Sequence, residues 1–393
     1  MLVGRGSVTA AVVTRSVSVR ARSSYTPDVE AHSIVWRLWV GSVGLCSCAG
    51  HVQSNGGLSD GAALPDAAPS GDPGAGGASA VGDGSVPRNG CNGAAARTVN
   101  VVDSRALESA LASAEPGDRI RLADGVYAGN FLAEVSGAPG SPILVCGSRQ
   151  AILRGANLSS GYGFELTASY WVLSGFRVTG SQKGIVVQGG SHNLLDGLEV
   201  DHVGQEAIHF RKASSDNVLS ASSIHDTGIG PGANDKGFGE GVYLGSAKSN
   251  WPTYGIDGGP DQSDRNQVIG NTIGPNTAAE CVDIKEGTTG GIIRDNTFDG
   301  IGMSGDNFAD SWIDAKGNGY RIENNHGSHA ILDGFQTHVQ VTGWGNDNTF
   351  SGNTMSDVPG YGINVASAST GTTVACNNTI TAGGRGLSNI PCQ

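Results

Sequence analysis

Asn271-Thr272-Ile273, Asn296-Thr297-Phe298, Asn353-Thr354-Met355 and Asn378-Thr379-Ile380 repeat one three-residue phrase at intervals of 25, 57 and 25 residues. The middle interval conceals a degenerate copy at Asn325. A period of about 20 to 30 residues, with two or three short strands in each unit, is the signature of a β-solenoid. An Asn at the same place in every coil can hydrogen-bond to its copy on the next, as side-chain ladders do in cross-β stacks. A leucine-rich repeat shares the period, but Leu is too sparse here to line a horseshoe.

A second marker opens each coil, with apolar residues two apart: Ile185/Val187, Ile208/Phe210, Val242/Leu244, Val282/Ile284, Ile313/Ala315, Phe335/Thr337 and Ile363/Val365. In a strand such pairs point inward together, so the residues between them point out. One outward column then reads Val186, His209, Tyr243, Asp283, Asp314, Gln336, Asn364, and a second reads Gln188, Arg211, Gly245, Lys285, Lys316, His338, Ala366. At the turn before each strand stand Lys183, Glu206, Glu240, Glu280, Asp310, Asp333 and Tyr361. Coils stack about 4.8 Å apart, so the columns merge into one polar strip. The fold expected over residues 91–393 is all-β, a right-handed parallel β-helix. Its open first coil needs a cover. A short N-terminal helix supplies one: it follows the strand Thr98–Val102, is capped by Asp103-Ser104, carries Leu107 and Leu111 on one face, and stops at Pro116-Gly117.

Composition agrees with one elongated body rather than several domains. Gly accounts for 63 of 393 residues and charged residues for 15 %, against about 25 % in ordinary globular domains, which favours tight turns over long helices. The net charge of −12 offers no broad basic surface to a nucleic-acid backbone. No stretch approaches the roughly twenty apolar residues of a membrane span. Residues 1–55 read as an export segment, with translation expected to begin near Val35. Arg37 precedes the apolar run Leu38 to Leu45, and Leu45-Cys46-Ser47-Cys48 resembles a lipoprotein-type cleavage site that would place a lipid anchor on Cys48. A plain signal peptide is the alternative. Residues 56–90, rich in Gly, Ala, Pro and Ser, have little to bury and read as a disordered linker. The chain is expected to be a monomer, secreted or held at the cell surface. Five cysteines remain beyond the export segment, an odd count that allows two bridges at most. Cys376 with Cys392 and Cys91 with Cys146 would staple the two ends of the coil, leaving Cys281 free.

The strip is densest in ionisable groups over the coils that begin at Glu206, Glu240, Glu280 and Asp310. Carboxylates at Glu240, Glu280 and Asp283, within one coil spacing of each other, repel unless a metal cation or a Lys sits among them. An all-oxygen set points to Ca²⁺. Lys285 and Lys316 stack on neighbouring coils, and two such charges beside a cation are expected to lower the pKa of at least one of them from about 10.4. A neutral amine is a base. A cation, a base and a long open groove suit β-elimination on an acidic, uronate-containing polysaccharide: the cation neutralises the uronate and the base takes the acidified ring proton. Lys285 is the expected base, with Lys316, His209 or Arg211 steadying the enolate or protonating the leaving oxygen. Tyr243, Asp314, Gln336 and His338 face substrate from the strip. Trp251, with Tyr254 and Trp344, stands in long inserts where rings can stack on sugars.

The stretch Glu280-Cys281-Val282-Asp283-Ile284-Lys285, followed by Asn296-Thr297-Phe298 and a charged residue on the next coil, resembles the core of the chondroitinase B and alginate lyase family of polysaccharide lyases. The opening Glu115-Pro116-Gly117-Asp118 with Asp124-Gly125-Val126-Tyr127 is similar to that of the wider pectate-lyase-like superfamily, which shares the fold. The resemblance implies that Glu280 and Glu240 ligate calcium and that Lys285 is the general base. Two positions depart from the family's pattern: Ala278 stands where it has a second acid, and Lys316 where it has an Arg. Other readings of the residues are a glycoside hydrolase using Asp283 and Asp314, an epimerase that begins with the same proton abstraction, and a polysaccharide-binding surface protein without catalysis.

Overall fold

The structure, a computed structural model, describes Cys91 and residues 94–233 and 237–393. The export segment and linker expected over 1–55 and 56–90, Cys48 among them, lie outside the described residues. Within those residues short strands run through three sheets of 11, 10 and 10 strands, and neighbours in each sheet are parallel. After the first two strands, Arg97–Val101 and Asp118–Leu122, which pair with each other, consecutive strands enter different sheets, and each sheet collects one strand per coil. The sheet that carries the polar strip sets Lys183–Gln188, Ile208–Arg211, Val242–Leu244, Val282–Ile284, Ser311–Ala315, Asp333–Thr337 and Tyr361–Asn364 side by side.

Alternation builds this arrangement. Ile185, Val187, Ile208, Phe210, Val242, Leu244, Val282, Ile284, Ile313, Ala315, Phe335 and Ile363 are all fully buried in one continuous core. Trp312, not read as an inward residue, joins them, because glycines opposite make room for it. A Cβ at Gly327 would lie 2.3 Å from the indole, and one at Gly334 2.8 Å. The Asn repeat forms the expected ladder. Asn271 donates to Asn296, Asn296 to Asn325 and Asn325 to Asn353 at 3.0 Å each, and Asn353 to Asn378 at 2.9 Å. A second ladder joins Asn193, Asn217 and Asn266 in earlier coils.

The coil's first turn is closed by the helix Ser104–Ala112, whose N-cap Asp103 accepts from Ala106 N at 2.8 Å. Leu107, Ala110 and Leu111 are its buried face. The preceding strand is Arg97–Val101, and the helix ends before Pro116, where Ser113 turns back onto Ser109 O through both its amide and its hydroxyl. Cys91–Cys146 and Cys376–Cys392 are bonded as expected, and Cys281 is a free, buried thiol.

Candidate active site

Strand pairing brings the expected outward column into register. Val186 lies beside His209, His209 beside Tyr243, Tyr243 beside Asp283, Asp283 beside Asp314, Asp314 beside Gln336, and Gln336 beside Asn364. On this face Asp283 stands between two lysines, with Oδ2 2.5 Å from Lys285 Nζ and Oδ1 2.7 Å from Lys316 Nζ. Lys316 also lies 3.0 Å from Asp314 Oδ2. Glu240, Glu280 and Asp283 each offer one oxygen, all within 4.8 Å of one another. These groups line a cleft of about 570 Å³ together with Ala247, Glu286, Asn307 and Phe308.

Burial and crowding set the charges. Burial, then the neighbouring Glu206 and Asp283, push the Glu240 carboxyl up to about 8. Burial, Asp283 and Asp314 push Glu280 well above the usual carboxylate range. Burial also raises Asp314, but Lys316 and His338 outweigh it and hold that carboxyl far below its ordinary value. The three acids at Glu240, Glu280 and Asp283 present hard oxygen donors only, with two of them under-compensated, which suits a Ca²⁺ ion. Asp283 would divide its oxygens between such an ion and the two ammonium groups.

The family model described as Pel9A-like, right handed beta helix region, matches residues 89–307. The chain belongs to the Pel9A-like right-handed β-helix family. This Pel9A-like β-helix is similar to the crystal structure of an alginate lyase from Paenibacillus sp. str. FPU-7, with 41 % identity and a TM-score of 0.70 over 75 % of this chain and 99 % of that one. It also resembles pectate lyase Pel9A, with 19 % identity and a TM-score of 0.58 over 76 % of this chain and 79 % of that one, and a rhamnogalacturonan lyase at 14 % identity and a TM-score of 0.53 over 71 % and 78 %. The latter two show the fold. Among curated proteins none matches the sequence. The resemblance to pectate-lyase-like polysaccharide lyases read from the sequence is thereby borne out, and so is the right-handed parallel β-helix.

Of the residues expected to be catalytic in this Pel9A-like β-helix, Lys285 and Lys316 line the cleft, whereas His209 and Arg211 lie outside it. His209 is buried, with Nε2 2.9 Å from Gly245 O, and burial with the nearby Lys183 charge pushes its imidazole down to about 3. Arg211 donates to Gln188 Oε1 at 2.9 Å and to Tyr162 Oη at 2.8 Å, and its guanidinium stacks 4.1 Å from the Tyr254 ring centre. The lowering of a lysine pKa was expected beside a bound cation; with the acids alone both lysines move the other way. Burial does oppose the charge on Lys285, but Asp283 and Glu240 outweigh it and raise the pKa; on Lys316 Asp283 and Asp314 do the same.

Among the substrate-facing residues, His338 lines the cleft with Nε2 3.2 Å from Asp314 Oδ1, and Asp314 lines it too. Tyr243 is buried, its ring centre 4.7 Å from Lys285 Nζ; burial, Asp283 and Glu240 keep its phenol protonated. Gln336 turns to the acids, donating to Asp310 Oδ1 at 2.6 Å and Asp333 Oδ2 at 3.2 Å. Trp251 is buried within its insert, with Nε1 donating to Ser246 O at 3.0 Å, so it anchors the insert and presents no ring to the cleft. The turn column also shifts by one residue. Ser311, not Asp310, pairs with Asp333, because the register Asp314 to Gln336 counts back to it.

Among the cleft residues not read from the sequence are Glu286 and Phe308. Glu286 follows Lys285, where strict alternation would turn it inward; the strand instead ends at Ile284, and the buried Glu286 carboxylate accepts from Lys248 N at 2.7 Å. Phe308 stands on an insert whose only signal is spacing, since Asn296 to Asn325 is 29 residues where the neighbouring interval is 25.

Proposed function

We propose that this Pel9A-like chain is an exported polysaccharide lyase that cleaves a uronate polymer by β-elimination, with alginate as the first substrate to test. The single observation that carries the reading is the cleft lining, where Lys285 is ion-paired to Asp283, whose carboxylate also clusters with Glu240 and Glu280. The 41 % identity with an alginate lyase over 75 % of this chain supports the substrate class. In this reading Lys285 Nζ removes the ring proton next to the uronate carboxylate. The freed electron pair forms the ring double bond as the neighbouring carbon–oxygen bond to the leaving sugar breaks. The ammonium formed on Lys285 then hands its proton to the departing oxygen, which restores the base. Lys316, held charged between Asp283 and Asp314, steadies the enolate. Ca²⁺ bound by Glu240, Glu280 and Asp283 would neutralise the substrate carboxylate and loosen the hold of those acids on the Lys285 proton.

A hydrolase using Asp283 and Asp314 is disfavoured by the same geometry. Both carboxylates are ion-paired to Lys316, and Asp314 is held far below the range in which a carboxyl can donate a proton. The test is absorbance of unsaturated uronate ends on alginate, pectate and chondroitin, with and without a chelator. Wild-type protein is expected to produce them and Lys285→Ala to produce none, with its fold unchanged by circular dichroism. Undiminished product from Lys285→Ala removes that residue from the mechanism.

A further inference from the structure

Phe308 is the one exposed Phe, Tyr or Trp ring among the described residues, with 78 % of its surface open to solvent, and it lines the acid and lysine cleft. It belongs to the turn Asp306–Phe308, where Gly305, Asn307 and Phe308 take φ values of 75°, 53° and 67° in succession. That left-handed region is costly for a side chain as bulky as Phe. The turn is nevertheless well determined. Asp306 N bonds to Ser304 Oγ at 3.1 Å, Ala309 N to Asp306 O at 3.1 Å, Asp310 N to Phe308 O at 2.9 Å, and Ser304 N to Ala278 O at 2.9 Å on the coil. Its flank abuts Gly237 so closely that a Cβ there would lie 2.4 Å from Asn307 Cβ. A strained backbone, tied at both ends, thus presents an apolar ring to water over a floor of Asp283, Lys285 and Lys316.

We propose that Phe308 is the ring platform of a rim subsite, on which one pyranose of a uronate polymer stacks while the neighbouring sugar meets Lys285. This rests on the lyase reading above. A sugar in its chair form is amphipathic: its axial C–H bonds make an apolar face suited to an aromatic ring, and its hydroxyls and carboxylate face polar groups. The rim supplies the ring and the floor the ammonium groups. Phe308 is therefore a positioning residue for the reaction, and its contribution is to holding the chain.

The experiment is steady-state cleavage of alginate by wild type, Phe308→Ala, Phe308→Tyr and Phe308→Trp. It is joined by calorimetric binding of an alginate oligosaccharide to Lys285→Ala and to Lys285→Ala/Phe308→Ala. Phe308→Ala is expected to raise KM and weaken binding about tenfold, with the loss concentrated in KM rather than kcat. The aromatic variants should restore both. Thermal stability should not fall, since the ring packs against little. Equal KM and equal binding for wild type and Phe308→Ala overturn the platform and leave the role of Lys285 standing. A KM defect that Phe308→Tyr and Phe308→Trp fail to rescue also overturns it. Wild-type protein that neither cleaves nor binds any uronan overturns the lyase reading, and the platform falls with it.

Discussion

Asp283 meets Lys285 and Lys316 directly while an oxygen of the same carboxylate lies within 4.8 Å of an oxygen of Glu240 and of Glu280, so one residue couples the proposed base to the candidate cation site. Glu240 registers the strain of that arrangement. Its carboxyl is pushed from an ordinary 4.5 up to about 8, so between those values the native state holds a proton that the unfolded chain has lost. Its contribution to stability is therefore full below the unfolded value and is lost as pH rises through the folded one. A cation at the three acids favours their charged forms and reverses the loss. The gain in Tm from Ca²⁺ over a chelator is expected to grow between about pH 5 and about pH 8.5, measured by scanning calorimetry. His209 opposes this trend, since its depressed pKa means stability is lost as pH falls from its ordinary 6.5 towards about 3. That term cancels when the two samples share a pH. An equal Tm gain at both pH values removes Glu240, Glu280 and Asp283 as the cation site. The positions of these residues were legible in the sequence because period-two alternation fixes which side chains point out. The lysine charge was not, because it depends on Asp283 reaching both ammonium groups, and a column of one-letter symbols carries no side-chain distances.

The Asn ladder shows what a single repeated element contributes. Asn325 Oδ1 accepts from both the backbone and the side chain of Asn296, and its Nδ2 donates to Ile293 O and to Asn353 Oδ1, all inside a fully buried column. Replacing it with Ala leaves several buried donors and acceptors unpaired, at about 1–3 kcal/mol for each. Asn325→Ala is expected to lose at least about 3 kcal/mol in urea unfolding, and Asn378→Ala a similar amount, because Asn378 accepts twice from Asn353 and donates to Phe350 O and Ala375 O. A loss below about 1 kcal/mol at both positions would mean that the ladder's bonds do not hold the column. The position of Asn325 was itself inferred from an interval that was twice too long. The same arithmetic carries the loops: the step from Asn217 to Asn266 is 49 residues, which holds the insert bearing Trp251, and the step from Asn296 to Asn325 is 29, which holds Phe308. Interval length announces an insert but not its direction, and so neither the burial of Trp251 nor the exposure of Phe308 at the cleft was read from it. Trp312 was missed for a related reason, because the room it fills is made by Gly327 and Gly334 on other strands.

A coil in which each turn touches only its neighbours stores its stability locally, and its two ends are its weak points. This chain secures them differently. At the beginning the helix Ser104–Ala112 buries Leu107 and Leu111 over the open coil, and the Cys91–Cys146 bond holds the entry. At the other end no helix is present among the described residues; the strands Thr379–Gly383 and Gly386–Ser388 are mostly exposed, and the Cys376–Cys392 bond is the staple. Closing a loop of 16 residues in the unfolded chain is worth about 3 kcal/mol. The cleft lies on strands Val242–Leu244, Val282–Ile284 and Ser311–Ala315 and reaches His338 after Asp333–Thr337, so the strand Tyr361–Asn364 stands between it and the staple. The double variant Cys376→Ser/Cys392→Ser is therefore expected to lose amide-exchange protection from Thr373 to Ser388 while the rate of uronate cleavage at a fixed temperature stays the same. If cleavage falls together with end protection, the coil unfolds as one cooperative body and local storage of stability is the wrong description. If protection persists without the bond, the last coils are held by the Asn353–Asn378 step of the ladder, and the combination of that variant with Asn378→Ala should then release them.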